Sequence, residues 1–184
     1  MKDGVEAWSE FHESPASQQY HFSTDGIVKS ATSENGIFYV ITSKDRIIAF
    51  DPKTKKQIGH WRSPNYGSCH GQLVAKNDLI YLVDPKNNAL LIYDTNGNQK
   101  SQKLELKGIQ WPTFLAVPNR SSVIISGSDR VGKFSSKQSG ALPHWIKDIK
   151  GAAGICVDGK GRLFVGVNKK RTVFVLGAET GKQD

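Results

Sequence analysis

What this sequence lacks narrows it first. No apolar run approaches the about 20 residues that a membrane-spanning helix requires, and MKDGVEAWSEFHE at the N-terminus has no apolar core of the kind a secretory leader carries. A cytoplasmic chain with no membrane segment is expected. Cysteine is scarce: Cys69 and Cys156 stand in unlike surroundings, with no CxxC and no histidine at zinc-finger spacing. Neither a structural disulfide nor a zinc module is expected. The five histidines, His12, His21, His60, His70 and His144, come with no nucleophile elbow and no metal-ligand pair. Cys69 and His70 are adjacent, and neighbours in an extended chain point to opposite sides, so they make no dyad. These residues suggest no enzyme activity and no cofactor. Acidic residues are also few, 17 Asp and Glu against 25 Lys and Arg, a net charge of +8. That balance favours polyanionic partners or acidic protein surfaces.

What is present is a repeat. Asn35 to Trp61, NGIFYVITSKDRIIAFDPKTKKQIGHW, holds strand candidates at Ile37 to Ile41, Ile47 to Phe50 and Gln57 to Trp61, separated by the turn chemistry of SKDR and DPKTKK. The same text returns as NDLIYLVDPKNNALLIYDTNGNQ from Asn77, SSVIISGSDRVGKFSSKQSG from Ser121 and KGRLFVGVNKKRTVFVLGAETGKQ from Lys160. With Val40, Leu82, Ile125 and Val165 set equivalent the steps are 42, 43 and 40 residues; Phe50, Tyr93, Phe134 and Leu176 give 43, 41 and 42. Units of about 40 to 50 residues built of short strands are propeller blades. An all-β propeller with four blades of about 42 residues follows, over 26–61, 69–106, 111–149 and 152–184.

Residues 1–17 read as a polar tail or connector, with a strand-like fragment at Val5 to Phe11. Gln18 to Ser23 resembles the outermost strands IGHWRS, KLELKG and HWIKDI, and the inner strands fall at Gly26 to Ala31, Gln72 to Ala75, Phe114 to Val117 and Ile155 to Val157. Asn96-Gly97 is the strongest hairpin signal, and Pro143 marks an edge strand. The fourth blade lacks its outer strand, while the chain opens with an unpaired one. Either four blades close on themselves, or they belong to a larger, six-bladed ring or to an assembly with a second copy. The larger ring or self-association is expected, because four blades make a tight ring and an uncovered blade face is apolar.

GAAGICVDGKGRLFVGVNKKRTVFVL resembles the NHL repeat: Gly154, Ile155, Val157, Asp158, Gly161, Leu163 and Val165 match its inner strand, glycine turn and second strand. HGQLVAKNDLIYLVD and WPTFLAVPNRSSVIIS are weaker versions. The resemblance, to the C-terminal propellers of tripartite-motif proteins, implies a six-bladed ring with one face that binds protein or RNA. No RING or B-box pattern is present, so ligase activity is not implied. Quinoprotein propellers carry Ala-x-Asp-x-x-x-Gly-x-x-x-Trp, to which Ala49, Asp51 and Trp61 are similar, with Lys55 at the glycine and the tryptophan two places late. Lactonase-like propellers also resemble this chain and imply Glu, Asn and Asp around a divalent cation. Asp84, Asp129 and Asn168 follow second strands, but a Lys or Arg comes within two residues of each. Solvated loop acids are the favoured reading, and a fragment of a cation-dependent hydrolase is the alternative.

In a propeller the turns between second and third strands share a face with the links into each inner strand. Here they supply Lys44, Arg46, Lys86, Arg130, Lys169, Lys170 and Arg171, with Tyr66 and Trp111 from the links. Basic side chains among aromatics suit single-stranded RNA or an acidic protein. A non-enzymatic recognition module with a protein or RNA partner is expected. Against it, Lys53, Lys55, Lys56, Lys100, Lys137 and Lys160 make the opposite face basic too, and Trp111 has equally the character of a blade-packing residue.

Overall fold

The computed structural model describes residues 4–7, 20–63, 71–100, 103–137 and 142–183. Short, β-branched and aromatic segments between turn residues pair with their sequence neighbours, so every sheet is an antiparallel meander. β1 (Gly4–Ala7) and β2 (Tyr20–Ser23) form a two-stranded ribbon. β3 (Val28–Glu34), β4 (Ile37–Thr42), β5 (Arg46–Asp51) and β6 (Lys56–Arg62) make the first four-stranded sheet. β7 (Leu73–Lys76), β8 (Leu79–Asp84), β9 (Ala89–Asp94) and β10 (Leu104–Glu105) make the second, and β11 (Phe114–Asn119), β12 (Ser122–Ser126), β13 (Arg130–Ser135) and β14 (Trp145–Asp148) the third. β15 (Ala152–Val157), β16 (Arg162–Val167) and β17 (Thr172–Gly177) form a three-stranded fourth. This is the expected all-β, propeller-type repeat. The chain divides into two compact units, Met1–Ser68 and Cys69–Asp184.

The register shows why the period is regular. Phe50, Tyr93, Phe134 and Leu176 lie opposite Phe38, Ile80, Val123 and Leu163, each two places before Val40, Leu82, Ile125 and Val165. Those last four are fully buried. In the second unit, one apolar cluster joins the second and third sheets through Tyr81, Ile92, Leu115 and Phe134, and another joins the third and fourth through Ile124, Val131, Leu163 and Val165. β8 and β12 are buried on both faces and therefore read as continuous apolar runs rather than alternations. β16 alternates: Leu163, Val165 and Val167 face the third sheet, and Phe164 on the other side is half-exposed. In the first unit Phe22 of β2 stacks on Phe50 at 4.5 Å between ring centres and joins a cluster with Val40 and Ile48.

Three details depart from the sequence reading. β1 lies inside the span read as a tail, and residues 8–19 fall outside the described ones. Asn35-Gly36 and Asn77-Asp78 form two-residue hairpins with both residues left-handed, Arg120-Ser121 forms one with neither, and Asn96-Gly97 sits in a longer loop where only Gly97 is left-handed. Pro143 precedes β14 and stands outside the ladder. The fourth sheet also begins a fourth strand, since Gln183 bridges Leu176 as Gln57 pairs with Phe50 and Gln99 bridges Tyr93.

Two residues before each of those glutamines the backbone turns left-handed, at Lys55 (φ 57°), Gly97 (φ 86°) and Gly181 (φ 66°). At Gly181 the conformation and the space agree: a Cβ there would lie 2.7 Å from Trp145 Cδ2. Trp145 Nε1 donates to Ala178 O (3.3 Å), Lys147 Nζ to Gly181 O (3.4 Å), and Lys133 pairs with Glu179, so β13 and β14 clasp this turn of the fourth sheet. Other turns are held by carboxylates. The Asp94 side chain accepts the N–H groups of Asn96 and Asn98 at 3.0 and 2.8 Å and pairs with Lys100 at 2.8 Å. Lys100 and then the Asn98 amide hold its carboxyl well below the usual range. The Lys53 N–H and Thr54 hydroxyl lower Asp51 in the same way, and the Arg162 N–H and guanidinium lower Asp158.

Gly181→Ala is expected to lose about 1–3 kcal/mol of stability, and Lys55→Gly to gain about 0.5–1 kcal/mol by relieving a left-handed side chain. Equilibrium urea unfolding reads both. The turn carboxyls ionise more readily folded than unfolded. Their stabilisation is thus complete above the unfolded value of about 3.9 and fades as pH falls through the lower folded values. Asp94→Asn should lower stability at neutral pH and flatten its decline between about pH 5 and pH 2; an unchanged slope in a pH series of unfolding curves would count against this account.

Candidate loop-face site around Trp111

In the second unit the turns between second and third strands lie against the links into the inner strands. Asn88, left-handed at φ 47°, ends the β8–β9 turn, and its carbonyl accepts the Leu106 N–H at 2.8 Å. The β12–β13 turn approaches its link so closely that a Cβ on Gly127 would lie 2.2 Å from Gln110 O, and Ser128 N donates to that same carbonyl at 3.0 Å. Glycine is required there by contact distance alone. The next link is tied in by Ile149 N to Asp129 O (2.9 Å) and Gly151 N to Ser128 O (3.2 Å).

Trp111 emerges from this scaffold. Its backbone is left-handed at φ 49°, an outlier for a bulky side chain, and its N–H donates to Asn88 Oδ1 at 3.2 Å. The residue is 63% exposed. A strained backbone that presents an indole to water is the reverse of a blade-packing tryptophan. Beside it a cleft of about 340 Å³ is lined by Asn88, Lys107, Gln110, Asp129 and Arg130. Arg130 is braced across that cleft: Nε pairs with Asp148 at 3.0 Å and Asp129 at 3.9 Å, and Nη1 donates to Gly108 O at 3.4 Å.

The candidates read from the sequence therefore part company. Asn88 both lines the cleft that holds Arg130 and accepts the Trp111 N–H, with Lys86 exposed on the turn that Asn88 ends. Lys169, Lys170 and Arg171 form an exposed 3-10 turn between β16 and β17, with Arg171 left-handed at φ 49°. Lys44 and Arg46 belong to the first unit, where Arg46 is spent on Asp25 at 2.7 Å. Tyr66, Cys69 and His70 lie outside the described residues. Arg46 and Arg130 thus serve as struts, while Lys44, Lys86, Lys169, Lys170 and Arg171 carry no ion pair among the described residues.

Of the three cation-site candidates, the two aspartates are likewise engaged. Asp84 is buried and turned into its own hairpin, accepting from Asn87 N (3.1 Å) and Nδ2 (2.7 Å), and Asp129 lies beside Arg130. Asn88, Gly127 and Asp148 were missed in the sequence; the signal for the first was an asparagine at the turn end, where left-handed backbone is common.

A family profile described as outer membrane protein assembly factor BamB, a PQQ-type repeat of the β-propeller kind, matches residues 1–112. The crystal structure of the computationally designed Ika4 protein is similar with a TM-score of 0.62, over 84% of this chain and 92% of that one, at 14% identity, a likeness of fold. No curated protein matches this chain. No helix among the described residues is long and apolar enough to cross a membrane.

Replacing Trp111 with glycine is expected to leave the unfolding free energy unchanged or raise it by about 1 kcal/mol, through release of the left-handed strain. A packing tryptophan would instead cost about 3–5 kcal/mol on truncation. Thermal and urea unfolding of Trp111→Gly separates the two.

Proposed function

Because the chain belongs to the family described as outer membrane protein assembly factor BamB, a propeller-type repeat family, we propose that it is a non-enzymatic recognition module that seats a partner protein on the loop face around Trp111. The exposed, strained indole carries this reading. Strain of this kind persists where the surroundings over-determine it and clusters at binding sites, and here Asn88 and the Gly127 turn do the determining. Large aromatic side chains beside a cleft are the usual anchors of protein interfaces.

Charge argues for protein over RNA. The arginine in the cleft stands between Asp129 and Asp148, so a phosphate backbone laid there would meet two carboxylates. A peptide segment of mixed charge would meet donors and acceptors in alternation. Lys86, Lys169, Lys170 and Arg171 then act at longer range, steering an acidic partner and raising its association rate rather than fixing it. The family's name speaks of assembling proteins, which agrees with a protein ligand. The same reading includes completion of the repeat by further sheets or a second copy, because Phe164 and Val175 are half-exposed and Val173 is 59% exposed on the fourth sheet.

A photo-reactive phenylalanine at position 111 tests the reading, with one at Lys160 on another turn as control. Protein adducts are expected from position 111 and not from 160, and charge reversal of Lys169, Lys170 and Arg171 should slow their formation. Equal adducts at both positions would sink the loop-face site. Labelled oligouridylate whose binding is lost on Trp111→Ala would replace the protein reading with RNA.

A further inference from the structure

We propose that a recess at the opposite ends of these strands, where the third sheet meets the turn after β17, is a binding site for a phosphoryl group. The first sign is a residue that breaks the repeat. The place before Phe50, Tyr93, Phe134 and Leu176 holds Ala49, Ile92, Lys133 and Val175, so the module fills it with an apolar side chain in three sheets and a lysine in the third. That lysine side chain is only 7% exposed. Burying an ammonium group is costly unless it is paired and hydrogen-bonded.

Glu179 supplies one pairing, but it hangs on the turn after β17 and is itself 69% exposed, while an ammonium group has three protons to place. Lys133, Asn119, Ser135, Lys137, His144 and Glu179 line a recess of about 400 Å³. Donors outnumber acceptors there. The Asn119 Oδ1 atom already accepts Ser121 N (2.9 Å), Ser121 Oγ (2.8 Å) and Ser122 Oγ (3.1 Å), which fixes the amide and leaves its NH₂ to donate. Ser135 Oγ accepts the Lys137 N–H at 3.2 Å and keeps its own proton for a ligand. The Lys137 ammonium and the His144 ring stand exposed at the rim.

One carboxylate among five donor side chains leaves the recess complementary to a group with several oxygens and net negative charge. A tetrahedral phosphoryl group meets that description better than a planar carboxylate, since its three oxygens can accept from different walls. The recess is built from the β11–β12 turn, β13 and the approach to β14, and from the turn after β17. It shares no residue with the Trp111 cleft, so each stands or falls alone.

Calorimetric titration of the full chain with inorganic phosphate and with O-phosphoserine, at constant ionic strength in chloride, tests the assignment. Saturable binding of at least one is expected, weakened tenfold or more by Ser135→Ala with Lys137→Ala. Both positions are surface or half-buried, and circular dichroism checks that the variant stays folded. Lys133→Met should abolish binding; should that variant fail to fold, the rim pair supplies the answer. Tighter binding of O-phosphoserine points to a phosphorylated side chain as the source, and equal binding to the free ion; both support the site. Absence of saturable binding to wild type, or an affinity that the rim pair leaves unchanged, overturns it.

Discussion

The middle strands β8 and β12 are apolar on both faces, and that single condition governs the rest. A sheet with two apolar faces cannot be buried by its own turns; it needs a neighbour on each side. In the second unit the third sheet has both, giving Ile125 and Phe134 to one cluster and Ile124 and Val131 to the other. Successive side chains along β12 thus point into different interfaces, and a shift of one residue would exchange them. Register and stacking are therefore one constraint, and it explains why four divergent segments keep aligned core positions when few other residues are shared.

Once the strands are committed in this way, the loops are free of the core but not of backbone geometry. In the second unit two turns between second and third strands end in left-handed residues, Asn88 and Arg171, each immediately before a third strand, and Asp45 holds the same place in the first unit's own sheet. The β12–β13 turn has no such residue and uses Gly127 instead, packed against Gln110. The link packed against that turn is the one in which Trp111 is left-handed and exposed. The features that set this face apart are thus departures from the repeat.

The strand periods, the middle-strand cores and the antiparallel order were legible because they rest on apolar pattern, which is local and repeats. The loop-face candidates were legible only as residue types. Arg130 and Arg46 looked like free cations because their partners, Asp148 and Asp25, lie 18 and 21 places away in sequence, and no pattern pairs residues across a turn and a link. The exposure of Trp111 was undecidable for the same reason. Aromatic composition fits both a packed and a presented ring, and only the left-handed backbone separates them. The outer strand of the second sheet is only Leu104–Glu105, although Leu104 and Leu106 are both buried in the core.

The two family likenesses meet in the same chemistry. Asp158, part of the NHL-like pattern, accepts the N–H groups of Lys160 and Arg162, both at 2.9 Å, with Gly161 left-handed between them. Asp51, part of the quinoprotein-like pattern, accepts the Lys53 N–H at 2.8 Å and the Thr54 hydroxyl at 2.9 Å, with Lys55 left-handed where that pattern has glycine. Both signatures are thus an aspartate that closes a turn, followed by a residue with positive φ. Any meander of short strands needs such turns, so short motifs of this kind identify the architecture more firmly than the family. The profile match, confined to residues 1–112, covers the sheet that carries the Asp51 turn and not the one that carries Asp158. The fullest NHL-like match lies in the remaining segment, where Asp158 and Gly161 are accounted for by the turn they make.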